Sequence, residues 1–448
     1  MGEKSLFDEL PEQRGPDRAR GKPRVQEPER NSIELRAVDL NSLVAPADPV
    51  RDVWAYVGTL DLASLYVRIE AREGEPGRPP ISPKLLLALW LYATLRGIGS
   101  ARELARLCER EIGFQWLCGG VGVNRHTLAA FRVDNDGLLD RLLSESVAVL
   151  IKEGLVKLDR LSLDGLRVRA SAGAKSFHRG DTLKKILKKT TKLVAGLRHE
   201  LDDDPAARDR RRRAAQEHAA ADRMARIKAA QKRLEMLQKE RDRRAKTNAG
   251  QTKQQKEPRA STTDPEARVM KMPDGGFRPA YNGQIIAEPT TGVILGVAID
   301  TSGSDHGWIK PMIEQVKNRF GRTPKELLVD GGFSHAEDIE WAARPENGAV
   351  AIFMAPTKNK HGSDPYRPRR GDGPGIAAWR TRMASDAGQL IYKLRSVHER
   401  INAHLRQRRL YQLPLRGRAK ARTTLLWHAL ANNLARACSL RRSIVQPV

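Results

Sequence analysis

Two aspartates of this 448-residue chain stand in the same local setting. Asp164 closes LSLD-G and Asp330 closes LLVD-GG, so each follows an apolar run and precedes glycine. The end of a central strand is where α/β folds present reactive groups, and glycine admits close approach of backbone or substrate. A third acid, Glu399, lies in IYKLRSVHERINAHLR and is the only Asp or Glu in residues 391–448, among 13 Lys and Arg. Two strand carboxylates and one helical carboxylate suit a pair of Mg²⁺ ions, because hard cations prefer oxygen ligands. Such ions support in-line displacement at phosphorus, with neighbouring lysines and arginines holding the phosphate backbone. There are plainer uses for the same residues. Asp before Gly is ordinary turn composition, and Glu399 can pair with Arg395, His398 or Arg406 on a helix surface. Asp300 and Asp305 in AIDTSGSDHG are rival acids near another strand end.

The elements that must position these acids follow from periodicity. In residues 391–406, Leu394, Val397, Ile401 and Leu405 recur at helical spacing and predict one buried face. Tyr392, Arg395, Glu399, Asn402 and Arg406 form a second, polar stripe on another side. KLDRLSLDGLRVRA predicts a strand, YNGQIIAEPTTGVILGVAID a hairpin turning at Pro289–Gly292, and WIKPMIEQVKNRFG a helix with a glycine cap. Leu327–Val329 and AVAIFMAP read as strands buried on both faces. Between the first strand and the hairpin lies a charged segment, 181–260, with 24 Lys and Arg against 12 Asp and Glu. Its helical spacing of leucines, broken by DDDP, predicts a helical hairpin, followed by a polar linker at 247–268. The order predicts an α/β fold, a mixed sheet with helices on its faces.

Upstream, Ser82-Pro83 opens a buried helix too short to cross a bilayer. Ser100 and Glu103 form a capping box for a second helix bearing Leu104, Leu107 and Ile112. After LCGGVG, Asn124 caps a third helix. The set predicts helix-turn-helix-like packing, in which Arg125, His126, Thr127 and Arg132 are available to DNA. The alternative is three-helix packing with no nucleic acid. The expected organisation is a disordered leader at 1–45, an all-α N-terminal domain at 46–150 and a catalytic domain at 151–448, interrupted by the 175–270 insertion and linker.

With 80 Lys and Arg against 54 Asp and Glu, the net charge is +26, which points to a polyanionic partner, most simply nucleic acid. Cys108, Cys118 and Cys438 show no metal or disulfide spacing. MGEKSLFDELPEQRG has no signal-peptide core, so the expected compartment is the cytoplasm, with no membrane partner.

Tyr392, Arg395, Glu399 and Arg406 resemble the Tyr-x2-Arg-x3-Glu-x6-Lys signature of one group of DDE-class transposases of bacterial insertion sequences. Arginine replaces the usual lysine at 406, keeping the charge but changing its phosphate geometry. SPKLLLALWLYATLRGIGSARELARLCE, NRHTLAAFR, YNGQIIAE, VDGGFS and LRGRAKARTTLLWHALANNLAR resemble further segments of that group, in order, over roughly residues 40–440. The resemblance implies an RNase H-like catalytic fold, a triad at Asp164, Asp330 and Glu399, and Mg²⁺ or Mn²⁺. It also implies a homodimer acting on double-stranded DNA at terminal inverted repeats. Hydrolysis would expose 3′-OH ends, and strand transfer would join them to target DNA. Tyr392 and Arg395 would hold DNA near the cut, and Arg406 would contact phosphate. The rival expectations are a transposase-derived DNA-binding protein without catalysis and a metal-dependent nuclease that does not join.

Overall fold

Leu161 and Leu163 point to one side of the strand β1 (Arg160–Arg169), Leu166 and Val168 to the other, and all four are at most 2 % exposed. A strand apolar on both faces must lie inside a sheet covered twice. β1 does so in a computed structural model that describes residues 37, 39–71, 79–203, 207–247, 257–356 and 364–445. Most of the expected leader falls outside these residues.

Ahead of β1 come seven helices: α1 (Pro49–Gly58), α2 (Ala63–Tyr66), α3 (Pro83–Leu95), α4 (Ala101–Arg110), α5 (Ile112–Cys118), α6 (Arg125–Val133) and α7 (Asp136–Lys152). The buried helix after Ser82 forms as expected, but Ser82 leaves its cap role and meets the Tyr66 hydroxyl at 3.0 Å. Ser100 caps α4 by accepting from the Glu103 amide, and Asn124 caps α6 by accepting from the His126 and Thr127 amides. The helix expected through Ile112 is divided at Glu111. That carboxylate accepts from the Phe114 amide and starts α5, leaving Ile112 46 % exposed. A side-chain acceptor at an N-cap outweighs continuation of the apolar pattern.

After β1, β2 (Phe177–His178) leads to α8 (Gly180–Asp203) and α9 (Ala207–Thr247). These two helices pack together as the expected hairpin, burying Leu183, Ile227 and Ala230, and Arg233 ties α9 to the sheet by donating to the Thr301 hydroxyl at 3.0 Å. Part of the expected linker is ordered: β3 (Ala260–Ser261) pairs antiparallel with β2.

The remaining elements are β4 (Arg268–Lys271), β5 (Phe277–Ala287), β6 (Ile294–Asp300), α10 (Ile309–Phe320), β7 (Glu326–Val329), α11 (Ala336–Ala343), β8 (Ala351–Phe353), α12 (Pro374–Ala384), α13 (Asp386–Lys393), α14 (Val397–Gln407) and α15 (Arg418–Val445). The main sheet runs β4-β5-β1-β7-β8, with β6 on the same edge of β5 as β4 but further along it. β5 is antiparallel to β1 and β6, whereas β7 and β8 run parallel to β1. Gly321, at φ 73°, ends α10 with its amide donating to the Lys317 carbonyl, as the glycine cap predicts.

Each face of the sheet has its own core. Leu161, Leu163 and Val329 pack with Ile313, Ile339 and Trp379 from α10, α11 and α12. Leu166 and Val168 pack with Ile401 and Leu405 of α14, with α15 and with the N-terminal helices. Trp90 of α3 lies 6.3 Å from Trp427 of α15, whose indole N–H donates to the Arg132 carbonyl at 3.1 Å. The N-terminal helices therefore share a core with the sheet. On α15, Asn433 both donates to and accepts from the backbone of Ile294, satisfying an edge of β6.

The single helix expected over 391–406 is interrupted. α13 ends at Lys393, a 3₁₀ turn occupies Leu394–Ser396, and α14 begins at Val397. Only the second half of the apolar stripe is buried: Ile401 and Leu405 are at most 3 % exposed, whereas Leu394 is 42 % exposed. The change of helical pitch at 394–396 rotates the earlier residues out of line.

Candidate active site

β1 pairs with β7 only from Arg160↔Glu326 to Leu163↔Val329. The next residues are Asp164 and Asp330, so the two acids leave the parallel pair side by side. Beyond them β7 turns away into a 3₁₀ turn, Gly331–Phe333, while β1 continues along β5 to Arg169. Asp330 thus follows the carboxyl-terminal end of β7, the place where such sheets gather polar chemistry, while Asp164 lies within β1.

Each aspartate is held by its own following glycine: the Gly165 amide donates to Asp164 Oδ1 at 2.9 Å, and the Gly331 amide to Asp330 Oδ1 at 2.7 Å. Asp164 Oδ2 accepts from Asn402 Nδ2 of α14 at 3.0 Å. One turn earlier on α14, His398 is 0 % exposed, and its Nδ1 lies 2.8 Å from the Ser162 hydroxyl. The Ser162 hydroxyl also lies 3.3 Å from the Ala287 carbonyl, which it can donate to. Ser162 and Asp164 share one face of β1 by strand alternation. His398 and Asn402 thus seat α14 on the strand that carries the first acid.

Burial raises the Asp164 carboxyl to about 6, with the charges of Asp330 and Asp305 adding to the rise. The Gly165 N–H and the Arg395 guanidinium oppose it. Like charges crowded into a partly desolvated site favour a bound proton, or a cation that takes its place.

Glu399 stands apart from the two aspartates. Its side chain is 70 % exposed and pairs with Arg395 at 3.6 Å, the surface ion pair that is its plainer use. The Arg395 guanidinium, 20 % exposed, also lies over the Tyr392 ring at 5.8 Å, so Tyr392, Arg395 and Glu399 form one chain of contacts. Arg406 is exposed further along α14. Among the described residues, no three His, Cys, Asp or Glu side chains stand close enough together to hold a metal ion. The donor set is nevertheless all oxygen. Two carboxylates stand abreast, and the buried amide oxygen Asn402 Oδ1 beside them has no hydrogen-bond partner. Such a set fits a hard divalent cation and not a soft one.

On the N-terminal helices, Arg125 and His126 are exposed at the start of α6 and Thr127 is half-buried. Arg132 does not face outward with them. It is 9 % exposed, lies 4.7 Å over the Trp90 ring and donates to the Gly99 carbonyl. Burial lowers its pKa to about 10. The expectation that Arg132 meets DNA is corrected: α6 turns this position toward the core, where a π face and a carbonyl take up the charge.

Asn402 and His398 were the contacts hardest to read from sequence. Asn402 belongs to the polar stripe, but its spacing of four from His398 and three from Leu405 also fits the buried face.

A mixed sheet flanked by helices, with Asp164 within β1 beside Asp330 after β7, is compatible with the fold of a DDE transposase. Comparison of the chain with protein families agrees. Residues 249–434 match the family model described as "Transposase DDE domain", and residues 38–134 match "Transposase domain (DUF772)". Together these matches support a DDE-class transposase of the insertion-sequence type. The first of them includes Asp330 and Glu399 and begins after Asp164. No curated protein and no solved structure matches the chain.

Proposed function

We propose that the protein binds the terminal inverted repeats of an insertion sequence, cuts the DNA there and joins the resulting 3′-OH ends to target DNA. The observation that carries this reading is the placement of Asp164 and Asp330 abreast where β7 parts from β1, within a chain matching transposase domains. The strand arrangement supports an RNase H-like catalytic core: an antiparallel β6-β5-β1 half, then β7 and β8 parallel to β1.

Asp164 and Asp330 would hold Mg²⁺ or Mn²⁺, with Glu399 as the third acid. When bound, the ions would activate an attacking oxygen and stabilise the leaving one. Asn402 fixes the orientation of the Asp164 carboxylate. The exposed Arg406 of α14 and the Tyr392–Arg395 pair just before it would offer positive charge for the DNA backbone. Arg125, His126 and Thr127 at the start of α6 would meet duplex DNA, and a homodimer would bring two element ends together. The protein would act on DNA in the bacterial cytoplasm.

The test is cleavage of DNA carrying the inverted repeats that flank the gene, with Mg²⁺ supplied, by wild type and by Asp164→Asn, Asp330→Asn and Glu399→Gln. Wild type is expected to cut and, given pre-cut ends, to produce joined molecules; each variant is expected to lose both. Full activity in a variant removes that residue from the site. Binding without cutting in wild type favours a non-catalytic DNA-binding protein, a reading consistent with the outward position of Glu399. Cutting without joining identifies a nuclease.

A further inference from the structure

Asp305 lies in the loop after β6, behind the pair of aspartates. Its Oδ1 accepts from Asn282 Nδ2 at 2.6 Å and from Gln284 Nε2 at 2.7 Å, two side chains of β5 that are 0 % exposed. Gln284 pairs with Gly165 and Asn282 with Arg167 across β5 and β1. These residues therefore occupy the face of β1 opposite the Asp164 side chain. A Cβ on Gly165 would stand 2.3 Å from Asp305 Oδ1, and one on Gly332 would stand 3.5 Å from Asp305 Oδ2. One carboxylate thus presses its first oxygen against the residue after Asp164 and turns its second toward the Gly331–Gly332 turn after Asp330. This explains the glycine of the LSLD-G motif: the space a side chain would need is filled by a charged group.

A second feature points to a ligand. Asn282 Oδ1 and Gln284 Oε1 are buried and have no hydrogen-bond partner. Their amide nitrogens are committed to the Asp305 carboxylate, which fixes the oxygens as the unpaired ends. Asn282 Oδ1 reaches within 3.0 Å of the same Gly165 position. Asn282 Oδ1 and Gln284 Oε1 on this face of β1, and Asn402 Oδ1 on the Asp164 face, are all buried and unpaired. Buried acceptors without donors cost free energy unless a water or a cation satisfies them.

We propose that Asp305 is a positioning residue of the cation site, holding the backbone at Asp164 and at Asp330 at a fixed separation and adding its negative charge to their attraction for a divalent ion. Asn282 and Gln284 form the clamp that orients it. This inference rests on the metal-dependent reading of Asp164 and Asp330. Supporting partners of metal ligands typically change metal affinity about 10- to 100-fold when altered.

The experiment titrates the purified full-length protein with Mn²⁺ alone and follows free Mn²⁺ by electron paramagnetic resonance, with the thermal midpoint recorded for every variant. Asp305→Asn keeps the shape and a hydrogen-bond acceptor but loses the charge. It is expected to weaken Mn²⁺ binding about 10-fold or more while leaving the thermal midpoint near wild type. Asp300→Asn is the control, since Asp300 accepts from Thr301 and Ser302 of its own loop, and it is expected to bind Mn²⁺ as wild type does. If Asp164→Asn loses Mn²⁺ and Asp305→Asn does not, Asp305 has no part in the site and the metal reading stands. If neither Asp164→Asn nor Asp330→Asn changes Mn²⁺ binding, the metal reading itself has failed. If Asp305→Asn unfolds, Asp305→Glu decides: retained Mn²⁺ affinity supports the charge, and lost affinity in a folded Asp305→Glu overturns the proposal.

Discussion

At the residue scale, the chemistry of this protein depends on which polar atoms are left without partners. Asp164 is partly desolvated and crowded by like charge, and it receives the Gly165 and Asn402 donors. The neighbouring glycine is constrained by what lies behind it. Gly165→Ala would drive a Cβ to 2.3 Å from Asp305 Oδ1, which two amide donors hold in place. Overpacking of that kind costs about 1–3 kcal/mol, and urea denaturation is expected to register it. Gly332→Ala meets its nearest neighbour at 3.5 Å, an ordinary contact, and is expected to stay within about 1 kcal/mol of wild type. Equal losses in the two variants would mean that Asp305 does not fill the space beside Gly165. The carboxylates themselves were legible from their strand-glycine settings. Arg132 was not, because a positively charged residue on a short helix looks the same in sequence whether it faces solvent or a tryptophan ring.

At the scale of elements, one of the groups holding α14 on β1 is the neutral imidazole of His398. Burial depresses His398 from its ordinary value to about 3, and its Nε2 has no partner. Unfolding exposes the ring, so as the pH falls below about 6.5 the unfolded chain takes up a proton that the folded chain refuses. The contribution is complete above that pH and is lost progressively toward pH 3, at up to about 1.4 kcal/mol per pH unit. His398→Leu is therefore expected to show a flatter dependence of stability on pH between about 6.5 and 3, read from urea midpoints. Identical slopes would show that the ring is charged or exposed in the fold. Strand and helix identities were largely readable from periodicity: β1, the β5–β6 hairpin, α10, β7 and β8 all form where predicted. The breaks at Glu111 and Leu394–Ser396 were not, since a local cap or a change of pitch leaves no mark on the apolar pattern.

For the whole molecule, the N-terminal helices and the sheet are expected to unfold as one body, because Trp90, Phe131 and Trp427 meet in a shared core. Trp427→Ala removes a side chain that is 2 % exposed and is expected to cost about 3–5 kcal/mol. The expected loss is a single transition, seen together by circular dichroism and tryptophan fluorescence. Two separated transitions would show independent domains. On the proposed function, the net charge of +26 predicts strongly salt-dependent binding to duplex DNA. Arg406→Ala is expected to weaken that binding across sequences and to lower the slope of log affinity against log salt by about one. An unchanged slope in fluorescence-anisotropy titrations would take Arg406 off the phosphate backbone.

The sequence alone determined the charge balance, the strand-helix alternation and the three candidate acids, because each is a property of composition or of a short period. Among the described residues no helix is long and apolar enough to cross a membrane, in keeping with the short apolar run after Ser82. Tertiary structure decided which acids meet. Register between β1 and β7 put Asp164 beside Asp330, although 165 residues lie between them in the chain. The turn at 394–396 set the phase of α14, so that Asn402 reaches Asp164 while Glu399 faces solvent with Arg395. The loop after β6 brought Asp305 behind Gly165. Strand register and helical phase depend on contacts between distant segments, and no local spacing carries them.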